Sequence, residues 1–306
     1  QMRILGQSVE ARYFEALGKP FEFPEDGYQG NYIINIAKSI LHHHGSDLER
    51  DHDQFRETAE NAIFSDIKNT LSELGIIHDQ FSNEKTFYDN GAIDQLLTDL
   101  KAKELIYESE GATWLKTSAL GKDQDRVYIK SSGEPTYRLP DTAYHRDKVE
   151  RNFDEIIDIF GADHADTYPD VLAALDALEI PVDHIRVLIH QFVTLLRDGE
   201  KVKMSTRKAN FVTLEDLVKE VGKDVVRYFF IMRSMTSHLD FDLNLAADQS
   251  DKNPVFYLQY AHARIANIMK HGESLGHSFS HDFDSSLISE KEEFTLIKHL
   301  MRFPEL

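Results

Sequence analysis

Two short apolar runs flank a helical pattern between residues 155 and 190, and this arrangement limits the fold more than any other feature of the chain. The runs are EIIDIF, which ends before Gly161, and HIRVLIH, which ends before Gln191. DVLAALDALEI, between them, has the apolar spacing of an amphipathic helix. A strand, a helix and a strand at this spacing predict a βαβ unit and therefore a parallel sheet. Ligands of such sheets bind beyond the carboxyl ends of the strands, where GADH (161–164) lies.

Helical patterns dominate the chain before this unit. Apolar residues recur at helical spacing in four segments, which are 5–17, 32–41, 55–74 and 93–105. The charged segment from about 42 to 123 is predicted to be a mostly helical insertion. In contrast, DRVYIKSSGEPTYRL (125–139) alternates apolar and polar residues around a turn, which is typical of a hairpin or of a strand followed by a loop.

A capping signal marks the helices that follow the sheet. Thr213 and Asp216 have the spacing of a capping box for a helix over 214–221, which Gly222 should end. Asp224 is then expected to cap a second helix. The stretch SHLDFDLNLAADQSDKN (237–253) is predicted to be a connector.

Another helix is predicted to begin at Asn253 and Pro254 and to end at Gly272. From these patterns we expect two domains: a partial catalytic domain over 1–245 and the beginning of a helical domain over 246–306.

The overall charge restricts the partners that the chain can bind. Its 306 residues have a net charge of −19, which argues against general adhesion to nucleic acid or anionic membranes but permits a local basic site. There is no cysteine, so disulfides and thiolate metal sites are excluded, and no metal site is predicted. No apolar run approaches the roughly 20 residues that span a bilayer, and a signal-peptide pattern is absent. We therefore expect a cytoplasmic protein that does not bind membranes.

A basic stretch, GEKVKMSTRKAN (199–210), stands out in this acidic chain. A lysine beside small polar residues, in a loop after a parallel strand, can close over a triphosphate and offset the charge that develops on the departing pyrophosphate. The three letters KMS also fit a solvated basic turn. The position after an apolar strand and before a helix N-terminus favours an anion site.

The surrounding sequence resembles a known enzyme family. VKMSTRKANFVTLEDLVKEVGKDVVRYFFIMRS (202–234) is similar to the KMSKS region of class I aminoacyl-tRNA synthetases, specifically of arginyl-tRNA synthetases. SHLDFDLNLAADQSDKNPVFYLQYAHARI (237–265) resembles the passage into that family's anticodon-binding domain, and GEPTYRLPDTAYHRDK, DIFGADH and PEDGYQGNYI match further blocks in the same order. The resemblance implies an α/β fold with a Rossmann-type parallel sheet and a helical insertion, followed by the start of an all-α anticodon-binding domain.

The resemblance also implies which residues act on the phosphates. The catalytic residues would be those of the signature loop, namely Lys203, Met204, Ser205, Thr206 and Arg207. Thr206 stands where class I enzymes usually have lysine. The cation that meets the phosphates is therefore expected among Lys201, Arg207 and Lys208.

GADH resembles the block that binds the nucleotide in this family. Gly161 would let the backbone approach ATP, Asp163 would hydrogen-bond the ribose, and His164 and Met204 complete the predicted ATP-binding residues. Two structural alternatives remain open from the residues alone. Asp163 can cap the next helix, and His164 can be a structural hydrogen-bonding residue.

Arginine recognition would fall to Tyr137 and Asp141, which match the substrate-binding Tyr and Asp of the family. A guanidinium is planar and permanently charged, so a selective site needs a carboxylate placed for bidentate contact. The two residues are four apart, which is the spacing of one helical face if the turn after Pro140 is helical. The alternative is a Tyr packed in the core and an Asp that caps the turn.

The implied reaction is ATP-dependent activation of L-arginine to arginyl-adenylate, followed by transfer to tRNA(Arg). ATP would be a substrate accompanied by Mg²⁺, with no tightly bound cofactor, and a monomer is favoured. The HIGH signature of class I enzymes is not found, because the nearest string, HHGS (43–46), follows a helix and fits a solvated helix end. We therefore expect an internal fragment, without most of the anticodon-binding domain, that is inactive alone.

Two other functions remain open. The first is a different class I aminoacyl-tRNA synthetase, although the absence of cysteine disfavours a cysteinyl enzyme with a zinc site. The second is a noncatalytic module that binds tRNA or a protein partner, which the missing HIGH signature favours for the isolated chain.

Overall fold

The computed structural model describes residues 2–202, 212–278 and 283–305. The chain divides into two compact units, Gln1–Asp248 and Gln249–Leu306.

The first unit begins with three helices, α1 (Met2–Ala16), α2 (Asn31–His44) and α3 (Asp53–Glu73). They pack around one apolar core, because each helix presents an apolar stripe at helical spacing. The fully buried members of this core are Val9, Tyr13, Ile33, Ala37, Ile40, Phe55 and Ala59. The three predicted helices are confirmed, with ends that differ by up to three residues.

Two short helices and an antiparallel sheet follow. These elements are α4 (Glu84–Asp89), α5 (Ala92–Ala102), β1 (Ile106–Ser109), β2 (Ala112–Leu115) and β3 (Arg126–Ile129). The strands form one sheet in the order β1-β2-β3. The interpretation of 125–139 as a strand followed by a loop is confirmed: β3 pairs with β2, and the following turn folds back to an antiparallel bridge between Ile129 and Pro135.

The predicted βαβ unit is confirmed. Helix α6 (Arg138–Glu150) precedes β4 (Ile156–Gly161), α7 (Tyr168–Ala177) and β5 (Ile185–His190). The two strands are parallel, and their register runs from Ile156 opposite Ile185 to Gly161 opposite His190. GADH therefore begins at the carboxyl end of β4.

The rest of the first unit adds a second sheet with parallel pairing. Its elements are β6 (Val193–Arg197), β7 (Glu200–Lys201), α8 (Leu214–Val221), α9 (Lys223–Ile231), β8 (Leu239–Asp242) and α10 (Leu243–Ala247). Strand β6 pairs with β8 in parallel and with β7 in antiparallel orientation. The predicted connector is wrong, because 237–253 contains β8 and α10. Leu239 and Phe241, which alternate with aspartates, bury one face of β8.

The capping box of α8 is confirmed: the Thr213 hydroxyl accepts from the Asp216 N–H, and the Asp216 carboxylate accepts from the Thr213 N–H. The expectation that Asp224 caps α9 is wrong. Gly222 occupies the N-cap position of α9. Asp224 lies inside the first turn of α9, where its negative charge interacts favourably with the positive end of the helix dipole.

The second unit contains α11 (Pro254–Ser274) and α12 (Lys291–Met301). The side chain of Asn253 accepts a hydrogen bond from the Val255 N–H at 3.0 Å, which confirms the predicted helix start. The helix continues past Gly272 to Ser274, so its predicted end is two residues early. Within the described ranges, no helix is both long and apolar enough to cross a membrane.

Candidate functional site

The first turn of α6 carries the two residues predicted to bind arginine. The Asp141 N–H donates to the Tyr137 carbonyl at 3.1 Å, so the turn is helical and both side chains project from one face. Pro140 is tolerated because first-turn N–H groups have no intrahelical acceptor. Tyr137 is 70% exposed, and the alternative of a Tyr packed in the core is therefore wrong.

The Asp141 carboxylate is half-buried and available. In the part of the chain that the structure describes, it has neither a hydrogen-bond nor an ion-pair partner, and α6 has no side-chain cap. The capping alternative for Asp141 is thus wrong. Burial raises the pKa of the Asp141 carboxyl above its ordinary value, while the nearby charges of His145, His164 and Lys148 oppose that rise.

GADH forms the end of β4 and a short 3-10 turn, Ala162–His164. A Cβ at Gly161 would lie 2.5 Å from Oδ1 of Asp163, so glycine allows the Asp163 side chain to fold back over the strand end. Asp163 does not cap α7, whose N-cap residue is Thr167. Its side chain is 63% exposed and faces solvent.

His164 links this turn to the arginine residues. Its ring stacks on Phe160 with centroids 5.6 Å apart, and the Phe160 ring in turn packs against the ring of His145 on α6, with centroids 6.1 Å apart. The carboxyl end of β4 therefore packs beside the helix that carries Asp141.

The signature loop follows β7 in the sequence. The predicted catalytic residues Lys203, Met204, Ser205, Thr206 and Arg207, as well as Lys208, lie outside the described residues. Lys201, at the end of β7, is described and exposed. The role of the loop stays a prediction.

A buried cluster of charged side chains, absent from the sequence prediction, lies behind Asp141. His145 and Lys148 on α6 both contact Asp158 in the middle of β4: His145 Nε2 is 3.0 Å from Oδ2, and the Lys148 ammonium pairs with Oδ1. Burial alone would raise the pKa of Asp158, but the hydrogen bonds and charges of His145 and Lys148 outweigh it and hold the pKa below its ordinary value.

Two sequence signals could have revealed this cluster. Asp158 interrupts the apolar run IIDIF, and a carboxylate in a buried strand requires a partner. His145 follows Asp141 by four residues in DTAYH, so it lies on the same face of α6.

Metal binding finds no support among the residues that the structure covers, where no group of three His, Cys, Asp or Glu side chains could hold an ion. His42, His43 and His44 form the last turn of α2, before the C-cap residue Gly45. The interpretation of HHHGSD as a helix end is confirmed.

The geometry suits a cationic ligand beside a nucleotide. A half-buried carboxylate with no partner among the described residues can accept two hydrogen bonds from a planar guanidinium, and the exposed phenol of Tyr137 lies one turn away. At the strand end, Gly161 leaves room for the Asp163 carboxylate, which can accept a hydrogen bond from a sugar.

Two family models match the chain. The profile of the catalytic domain described as tRNA synthetases class I (R) matches residues 33–267, and that of the DALR anticodon binding domain matches residues 258–306. A curated relative from Desulfotalea psychrophila, named arginine–tRNA ligase, is 52% identical over 99% of this chain and 56% of its own length. A relative of the same name from Salinibacter ruber is 49% identical over 99% of this chain and 57% of its own.

Solved structures have the same fold. A Campylobacter jejuni chain assigned to the arginyl-tRNA synthetases is 34% identical, with a TM-score of 0.78 over 89% of this chain and 60% of that one. Thermus thermophilus arginyl-tRNA synthetase, at 17% identity and a TM-score of 0.66, shows the likeness of fold alone; it covers 99% of this chain and 61% of that one. The chain spans about half the length of the curated relatives that it matches.

Proposed function

This chain belongs to the arginyl-tRNA synthetase family of class I aminoacyl-tRNA synthetases, and we propose that it carries residues that bind arginine and ATP in such an enzyme. The reaction would join the arginine carboxylate to the α-phosphate of ATP, release pyrophosphate and then pass the arginyl group to the terminal ribose of tRNA(Arg). The observation that carries the proposal is the half-buried Asp141 carboxylate, which has no partner among the described residues and lies on the helix that packs against β4.

Asp141 would recognise the guanidinium of the substrate. Its carboxylate can form a bidentate pair, while Tyr137 would line the site from the preceding turn. Lysine has no planar fork and citrulline has no charge, so each would leave part of the Asp141 carboxylate unpaired. A site built in this way can reject both analogues, since unpaired polar groups are costly to bury.

ATP would lie over the end of β4. Gly161 would admit the nucleotide, Asp163 would accept a hydrogen bond from its ribose, and His164 would border the phosphates. Lys203 and its neighbours in the signature loop would offset the charge of the triphosphate, together with Mg²⁺ that accompanies ATP.

The second unit would contact tRNA, because its sequence matches an anticodon-binding domain. We assign the catalytic role to residues 1–245 and the start of the tRNA-binding domain to residues 246–306. The role in translation implies a cytoplasmic enzyme, and we expect a monomer.

Asp141→Asn tests the arginine site. The variant keeps the shape of the side chain and removes its charge, and we expect about 10- to 100-fold weaker arginine binding, since a hydrogen bond to a charged group contributes about 1.5–3 kcal/mol. Isothermal titration calorimetry with arginine, lysine and citrulline measures the effect. Two proteins are titrated: this chain and a chimera in which it replaces the matching segment of the Desulfotalea psychrophila relative.

Asp147→Asn is the matched control. Asp147 lies on the same helix and pairs with Arg151, so its loss should leave arginine binding unchanged. A chimera that binds arginine equally well with Asp141→Asn, or that does not prefer arginine to citrulline, contradicts the assignment. A chimera that binds tRNA but no arginine favours the noncatalytic alternative.

A further inference from the structure

His145 lies one helical turn beyond Asp141 and is 2% exposed. Its Nδ1 is 2.7 Å from the backbone carbonyl oxygen of Asp141, and its Nε2 is 3.0 Å from Oδ2 of Asp158 on β4. Lys148, one turn further along α6, pairs with the other oxygen of Asp158. These contacts tie the helix that carries Asp141 to the strand that ends in GADH.

The acceptors around His145 determine its protons. A carbonyl oxygen only accepts hydrogen bonds, so Nδ1 must carry a proton. Asp158 also accepts, because Lys148 already donates to it and the carboxylate stays ionised, so Nε2 must carry a proton as well. The Lys148 ammonium also lies 3.4 Å from Nε2, but Oδ2 of Asp158 is closer, at 3.0 Å, and an ionised carboxylate oxygen can only accept. If both ring nitrogens donate in this way, the ring is a buried cation.

The cluster leaves one positive charge beside Asp141, because it contains two cations and one carboxylate. The charged groups that face the Asp141 carboxylate are His145 and Lys148 on α6, Asp158 on β4 and His164 in the turn after β4. The aromatic ring of Tyr144 packs at the edge of His145 and lies under the Lys148 ammonium, which excludes water from this side. Burial opposes ionisation of Asp141, and these cations counteract burial.

We propose that His145 is a positioning residue of the arginine site: Asp158 and Lys148 hold it as a buried cation that keeps the neighbouring Asp141 carboxylate ionised and available to a guanidinium. His145 itself does not touch the substrate. The inference rests on the proposed function, because it takes Asp141 as the carboxylate that meets arginine.

Nuclear magnetic resonance tests the charge without any substrate. With ¹⁵N-labelled histidine, both ring nitrogens of His145 should carry protons in the wild-type chain at neutral pH, and Asp158→Asn should remove the proton on Nε2. With ¹³C-labelled aspartate, the Asp141 carboxyl, assigned through Asp141→Asn, should titrate at higher pH in His145→Gln than in the wild type. Lys148→Gln should shift the titration in the same direction and replaces His145→Gln if that variant does not fold.

Arg146→Gln is the matched control. It removes a positive charge from the next position on α6, but Arg146 pairs with Asp99 and Glu150 and does not face Asp141. The titration of Asp141 should therefore stay unchanged. A single ring proton on His145 in the wild type, or equal titration of Asp141 in His145→Gln and Arg146→Gln, overturns the proposal.

The pH profile of arginine binding separates this inference from the proposed function. Arginine affinity should fall in acid as Asp141 takes up a proton, and His145→Gln should move this fall to higher pH. Below the fall, the variant should bind arginine about tenfold more weakly than the wild type for each pH unit of the shift. If Asp141 titrates at higher pH in His145→Gln but the wild type does not bind arginine, the proposed function is wrong and the effect of His145 on Asp141 is confirmed. If arginine binds selectively but the pH profile of binding is the same in His145→Gln and in the wild type, the proposed role of His145 is wrong and the proposed function is supported.

Discussion

Tyr128 and Thr142 form a buried hydrogen bond between β3 and the first turn of α6, and its direction predicts unequal effects of removing either partner. Both residues are fully buried. Thr142 Oγ1 donates its only proton to the Arg138 carbonyl at 2.7 Å. The Tyr128 hydroxyl, 2.9 Å from Thr142 Oγ1, must therefore be the donor in the bond between them.

The two deletions leave different groups unpaired. Thr142→Val leaves the Tyr128 hydroxyl proton buried without an acceptor, which should lower the free energy of unfolding by about 1–3 kcal/mol. Tyr128→Phe removes the donor, but Thr142 keeps its bond to Arg138, so the expected loss is about 0.5–1.5 kcal/mol. The double variant should be no less stable than Thr142→Val alone, because it leaves no orphaned hydroxyl.

Urea unfolding, followed by the fluorescence of Trp114, measures these differences. Trp114 is the only tryptophan of the chain and lies on β2, which pairs with the strand of Tyr128. If Tyr128→Phe costs more stability than Thr142→Val, or if the double variant shows the sum of both losses, the assigned direction of the bond is wrong.

Two further predictions concern the nucleotide turn and the helix after the signature loop. Gly161→Ala should weaken ATP binding in a calorimetric titration, because its Cβ would displace the Asp163 carboxylate; unchanged affinity contradicts the role of Asp163. Asp216→Ala should lower the free energy of unfolding by about 1 kcal/mol at neutral pH. Hydrogen bonds from Thr213 lower the Asp216 pKa, so this stability is present above the ordinary pKa of aspartate and is lost as the pH falls through the lowered pKa. Urea unfolding across the acid range should show the difference from wild type vanish, whereas Glu215→Ala, which removes no cap, should cost less.

The parts of the fold that were predicted correctly depend on neighbours along the chain. Thr213 and Asp216 form the capping box that their spacing indicates, and Asn253 caps α11 as predicted. The apolar runs around α7 form parallel strands, because a continuous apolar run between short turns leaves few other structures.

The predicted connector over 237–253 is wrong because of a pairing over a long distance in sequence. Strand β8 has only four residues, two of them aspartates, and it becomes a strand by pairing with β6, more than forty residues earlier. Local patterns carry no information about such a partner, so propensity alone favours a connector.

The candidate site divides in the same way, into residues that the sequence indicates and buried residues that lie behind them. The resemblance to arginyl-tRNA synthetases indicates Tyr137 and Asp141, and their spacing predicts the helical turn that joins them in the structure; their role in binding arginine stays a prediction. The cluster behind them could be inferred only by asking what a buried Asp158 must contact. The helix that precedes β4 supplies the answer, since His145 and Lys148 are three residues apart and meet the same carboxylate. A charged residue inside an apolar strand therefore predicts more than an interruption of the core: it predicts an ionic partner on the helix that packs against the strand.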